Sequence, residues 1–264
     1  MEHSVSRRAD RARAATGDEL RGLLHDANKE VLFALLENPA IDEPHLQLLL
    51  HRKDLPADIL AEVSRQKSWM RSYQIKLRVA RHPHTSRLVA LPLLKQLYLF
   101  DLVNVSLTPG VPGEMRRVAD DLVISRLPQI PAGQKFTLAR RGSARIAAAI
   151  LQEGHKGAIP LCLDNSFLTE AQVLKVLSNT HLPEEVVEAV ARHGKWSFLY
   201  SVRMALVRHP LTPLARVLAF LPDLTLRDLK DLQFASTLSD PMRQYIRGEI
   251  NSRSLRKRRA LAVK

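Results

Sequence analysis

Between residues 29 and 251, apolar positions recur three and four apart in short runs, and Pro, Gly, Asn or Asp interrupts each run. That period is the helical one, because residues at such spacing share one face of a helix. The pattern predicts helices near 29–37, 43–52, 57–67, 71–82, 86–96, 97–107 and 113–126, and then near 132–141, 143–153 and 156–164. Several starts carry their own chemistry. Asp42-Glu43-Pro44 and Thr169-Glu170 read as N-caps followed by acids on the positive helix end. Leu182-Pro183-Glu184-Glu185 places Pro and two acids in a first turn. No run of alternating β-branched residues between turn signals is present, as strands would need.

The pattern also repeats at long range. A shift of 127 positions lays residues 32–126 on 159–253 without a gap, and 24 of the 95 pairs are identical. Trp69 meets Trp196, Tyr73 meets Tyr200, and Arg81-His82-Pro83 meets Arg208-His209-Pro210. Helices this short cannot each hold a private core, so they must stack on their neighbours. The expectation is an all-α chain: one α-solenoid domain over 29–251, made of copy one (32–126), a middle helical segment (127–158) and copy two (159–253). A flexible polar N-terminus (1–28) and a basic disordered tail (252–264) would flank it.

Composition narrows the setting. With 45% hydrophobic residues and 10 Gly among 264, the chain suits helices with a buried core. The most apolar stretch, Leu88 to Leu107, carries Lys95, Gln96, Asp101 and Asn104, so no membrane span is expected. Residues 1–28 lack the apolar core of a secretory signal. The single Cys162 excludes an internal disulfide, and its apolar neighbours predict a buried, inert thiol. A reducing, cytoplasmic setting fits these features. The net charge is +13. It gathers in the tail, at Arg256, Lys257, Arg258 and Arg259 among others, and in the middle segment at Arg140, Arg141 and Arg145. Such a field attracts polyanions without specifying one.

The most specific motif is Val202-Arg203-Met204-Ala205-Leu206-Val207-Arg208-His209-Pro210-Leu211-Thr212-Pro213, with its earlier copy at Ile75 to Ser86. It resembles the leucine-rich repeat variant family and related HEAT-like solenoids, in which such a run ends one helix and starts the next. The resemblance implies a right-handed superhelix used for binding, with no shared catalytic residues. The cysteine cluster of some members is missing, so no iron–sulfur centre is implied. Read from the residues alone, Arg-His-Pro is a helix stop, with basic groups on the negative helix end and Thr85 and Thr212 capping the next helices. A functional reading stands beside it. Lys76, Arg78, Arg81, His82, Arg140, Arg141, Arg145, Arg203, Arg208 and His209 could meet phosphates on one basic face, helped by the tail residues. Trp69 with Tyr73 and Trp196 with Tyr200 are each four apart on one helix face. They suit packing between repeats, or stacking on bases.

Nothing points to a catalytic, metal or cofactor site. No phosphate-binding glycine loop, His-Glu-x-x-His or Gly-x-Ser-x-Gly is present. The Asp120-Asp121 pair reads as exposed partners of Arg116 and Arg117 on one helix. The expected function is a non-catalytic helical-repeat binding or scaffold protein whose partner is a protein or a nucleic-acid backbone. The alternative is a HEAT-like DNA-binding protein or an alkyl-purine DNA glycosylase. For that enzyme no catalytic Asp can be placed, since Asp101 and Asp228 are equivalent in the two copies.

Overall fold

The computed structural model describes residues 2–235, 238 and 240–262, and side chains only for 4–235, 238 and 240–255. Among the described residues the structure is helical, with no strand. The chain divides into two compact units, 1–125 and 126–264.

Unit 1 holds α1 (Glu2–Ala14), α2 (Gly17–Leu23), α3 (Lys29–Leu36), α4 (Glu43–Leu49), α5 (Ala57–Arg65), α6 (Tyr73–Arg81), α7 (Arg87–Lys95), α8 (Leu99–Leu107) and all but the last residue of α9 (Gly113–Arg126). Unit 2 holds α10 (Ala132–Arg141), α11 (Ala144–Glu153), α12 (Ile159–Leu163), α13 (Glu170–Leu177), α14 (Glu184–Arg192), α15 (Tyr200–Arg208), α16 (Leu214–Phe220), α17 (Leu226–Leu232) and α18 (Asp240–Ala262). A helix repeatedly packs on the one two places along: α1 on α3 and α3 on α5, α4 on α6 and α6 on α8, α10 on α12 and α12 on α14, α11 on α13 and α13 on α15. This is how each amphipathic face finds cover. Val31, Leu32 and Leu35 of α3 and Ile75 and Val79 of α6 are fully buried. The caps at Asp42 and Thr169 form as the sequence predicts, each accepting the backbone N–H three residues on.

Short helices leave many carbonyls without partners. Side chains one helical repeat away supply the donors. Asn38 is buried, and its Nδ2 donates to the carbonyls of Ala12 (2.7 Å) and Ala15 (2.9 Å). Asn165 does the same to Ala139 (2.8 Å) and Gly142 (3.0 Å). All three positions are related by the same shift of 127. The duplication therefore reaches back to residue 12, far beyond where identities reveal it.

Two boundaries change as a result. Residues 127–158 are not a segment between copies. Their helices α10 and α11 occupy the place in unit 2 that α1 and α2 hold in unit 1. Residues 1–28, expected to be flexible, form α1 and α2 and bury Ala12, Leu20 and Leu24. Polar composition misled there because the described residues that α1 buries are small alanines, Ala9 and Ala12. At the other end, α18 runs through most of the stretch expected to be disordered.

Replacing Asn38 with Ala removes two donors from buried carbonyls, and leaves the Ala40 N–H without its Asn38 acceptor. The expected cost is about 2–3 kcal/mol, seen as a lower denaturant midpoint. Asn104, exposed on α8, should change stability by less than about 0.5 kcal/mol on the same substitution.

Candidate nucleic-acid interface

The repeated Arg-His-Pro element is mainly structural. His82 is buried, its Nδ1 accepts the His84 N–H (3.2 Å), and its Nε2 lies 2.6 Å from the Arg52 carbonyl. An accepting Nδ1 fixes the neutral tautomer, so Nε2–H donates to that carbonyl. His209 repeats the arrangement with the Leu211 N–H (3.3 Å) and the Asn179 carbonyl (3.2 Å). Neither ring is available to a phosphate, which corrects that expectation. The threonines differ too. Thr85 Oγ1 donates back to the Val79 carbonyl (2.6 Å) and Thr212 Oγ1 to Leu206 (2.5 Å), so they close the preceding helix rather than cap the next.

The aromatic pairs are also tied into the fold. Tyr73 donates to Asp101 (2.5 Å), accepts the Tyr98 N–H (3.0 Å) and stacks on the Tyr98 ring at 4.4 Å. Burial first, then the Asp101 carboxylate, pushes its phenol pKa up to about 12. Tyr200 bonds Asp228 and accepts the Thr225 N–H (3.1 Å). Trp196 is buried and donates to the Leu163 carbonyl (2.9 Å). Trp69 is half-buried, and its Nε1, shielded from solvent, has no protein partner. Stacking on bases is thus closed to Trp196, while Asp101 and Asp228 are held by tyrosines. Asp120, expected on the surface, is buried on α9.

The basic residues fall into separate places. Arg203 is consumed internally: its guanidinium donates to the Ser197 carbonyl (2.5 Å) and to Asp223 (2.6 Å). Arg140, Arg141 and Arg208 are exposed at the C-terminal ends of α10 and α15, whereas Arg145 is half-buried. The side chains of Arg256, Lys257, Arg258 and Arg259 lie outside the described residues. Lys76 lines a shallow depression with Met70, Leu88 and Pro92. Arg78 and Arg81, one turn apart, face a different feature.

That feature is a groove of about 540 Å³ in unit 1. Its walls are the segment after α4 (Leu50 to Lys53), the last turns of α6 with His82 and Pro83, and the turn after α8 (Thr108 to Gly110). Not one lining residue is acidic, whereas His51, Arg52, Lys53, Arg78, Arg81 and His82 all contribute. Two of these are spoken for. Arg52 caps α2 through the carbonyls of Leu24 (2.6 Å) and Asp26 (2.8 Å), and grips Asp54 at 2.8 and 3.1 Å. The Arg52 guanidinium holds the Asp54 carboxyl down at about 2. His82 is neutral, as above. Lys53, Arg78 and Arg81 remain, with exposed His51 beside them. Arg81 donates one long bond, 3.4 Å, to Thr108 Oγ1. Arg78 keeps an Nε that is shielded from solvent and has no protein acceptor. Sequence reasoning found Arg78 and Arg81 but not His51 or Lys53. Their signal was the loss of charge at the equivalent positions of copy two, Ser178 and Thr180.

Burial lowers the His82 pKa below its ordinary 6.5. As the pH falls through 6.5 the unfolded chain therefore takes up the proton first. Stability held by neutral His82 is complete above pH 6.5 and is lost below it, down to the folded-state pKa. The denaturant midpoint should fall on acidification from pH 7 to 5, and a smaller fall is expected for His82→Gln, whose amide cannot titrate. Cys162 is buried, and burial pushes its thiol pKa up to about 12. A thiol reagent at pH 7.5 should label it only after denaturation.

Among the described residues no group of His, Cys, Asp and Glu could hold a metal ion, and no helix is long and apolar enough to cross a membrane. Comparison with protein-family models, curated proteins and solved structures finds no match to the chain.

Proposed function

We propose that this protein is a non-catalytic helical-repeat binding protein that holds a polyanionic macromolecule, first of all a nucleic-acid backbone, on the basic groove of unit 1. The right-handed α-solenoid and the kinship with leucine-rich repeat variant and HEAT-like proteins belong to the same reading. Packing of helices on their second neighbours within each unit supports it. The observation that carries the function is the groove lining, where Lys53, Arg78 and Arg81 have no carboxylate among them. Contacts there would go to phosphates, and they would position a strand without reading its sequence. A DNA glycosylase is disfavoured because Asp101 and Asp228 both serve tyrosine hydroxyls. Exposed Leu88 and Tyr98 favour a second reading, an acidic protein partner with an apolar patch.

Salt titration of binding to single-stranded and duplex DNA tests the proposal. Each neutralised phosphate releases counterions, so affinity should fall steeply with salt. Replacing Arg78 and Arg81 with Gln should weaken binding and reduce the slope by about two. Loss of binding only when Arg256, Lys257, Arg258 and Arg259 are replaced would reduce the activity to a tail effect. No binding at moderate salt by the intact chain would remove nucleic acid in favour of the protein partner.

A further inference from the structure

The two copies give the groove an internal control. The turn after α4 corresponds to the turn after α13, and α6 corresponds to α15. In unit 2 the positions of His51, Lys53 and Arg78 are held by Ser178, Thr180 and Ala205, while Arg81 and His82 persist as Arg208 and His209. This comparison decides between two explanations of the charge. Three helices, α4, α6 and α8, end at the groove, and their negative dipole ends attract cations by themselves. Yet α13 and α15 end within one residue of the equivalent backbone positions and pack together as α4 and α6 do, without those three basic side chains. The ends of α4 and α6 therefore do not require His51, Lys53 or Arg78. The charge is additional to the fold.

We propose that the groove is a discrete site for a phosphate monoester, the terminal phosphate of a nucleic-acid strand. The inference rests on the polyanion-binding function above and narrows it to one group. Lys53, Arg78 and Arg81 bring three full charges. The three helix ends offset roughly one half of a charge each, leaving about one and a half positive charges. A phosphate monoester carries about −1.5 to −2 near pH 7 and so matches the site, whereas an internal phosphodiester carries one negative charge. Arg78 and Arg81 both line the groove, and their planar forks suit phosphate oxygens. Lys53 and His51, both exposed, close the rim. At about 540 Å³ the groove admits a terminal nucleotide but offers no aromatic stack beyond its histidines, so the phosphate and not the base is the determinant.

The test compares one oligonucleotide with a 5′-phosphate or a 5′-hydroxyl, at fixed salt, on the full chain. The wild type should prefer the phosphorylated end by roughly tenfold. The triple variant His51→Ser, Lys53→Thr, Arg78→Ala places in unit 1 the residues that unit 2 already tolerates at those positions. It should keep its helical circular dichroism and bind both ends alike. Inorganic phosphate should displace the phosphorylated strand from wild type down to the affinity of the hydroxyl strand. Equal binding of the two ends by wild type overturns the monoester site but leaves the basic-groove function standing. Failure of both strands to bind overturns that function as well. A phosphoserine peptide that binds as tightly as the phosphorylated strand overturns the nucleic-acid source.

Discussion

Helix ends set the constraint on which this structure depends. Many of its helices are seven to ten residues long, so unpaired carbonyls form a large share of all backbone acceptors. Buried carbonyls need donors. In both units they come from side chains one helical repeat away: Asn38 and Asn165, His82 and His209, Arg52, Trp196 and Arg253. Each such bond joins one helical repeat to the next as well as closing a helix end. The packing of apolar faces supplies the driving force, but it is non-directional and would tolerate slippage. The polar bonds choose the register.

Once those bonds are assigned, the chain's positive charge separates into two kinds. Arg52, Arg203 and Arg253 donate to carbonyls and carboxylates, and their charge serves the fold. Lys53, Arg78 and Arg81 line a groove without acids, and the ends of α4 and α6 do not require Lys53 or Arg78, since α13 and α15 end without them. A duplicated chain allows this distinction within one molecule, because unit 2 shows which residues the shared backbone needs. Function is then read from what one copy has and the other lacks. By the same reasoning the Trp and Tyr pairs and the His-Pro steps, which both copies share, serve architecture, and the shared Arg81 contributes to the groove only beside Lys53 and Arg78, which unit 2 lacks.

Helical class, most helix positions and the central duplication were legible in the sequence, because the 3.6-residue period and the caps at Asp42 and Thr169 are local signals. The first part of each unit was not. Residues 12–31 and 139–158 share few identities beyond Ala12 with Ala139, Arg13 with Arg140 and Leu24 with Leu151. Their equivalence rests on which carbonyls Asn38 and Asn165 reach, a contact across more than twenty residues. The candidate groove was half legible. Arg78 and Arg81 stood in a visible motif on one helix, whereas His51 and Lys53 come from a turn almost thirty residues earlier.

The sequence by itself therefore determined the helices, their stops and the repeat between copies, since these follow from periodicity and backbone preference. Only the tertiary structure decided that His82 and His209 face inward, that Thr85 and Thr212 bond backward, and that Lys76 parts company with Arg78 and Arg81. The reason is physical. A basic or hydroxyl side chain at a helix end has the same local preference whether it meets a carbonyl, a carboxylate or open solvent. Which of these it meets depends on a neighbour about thirty residues away.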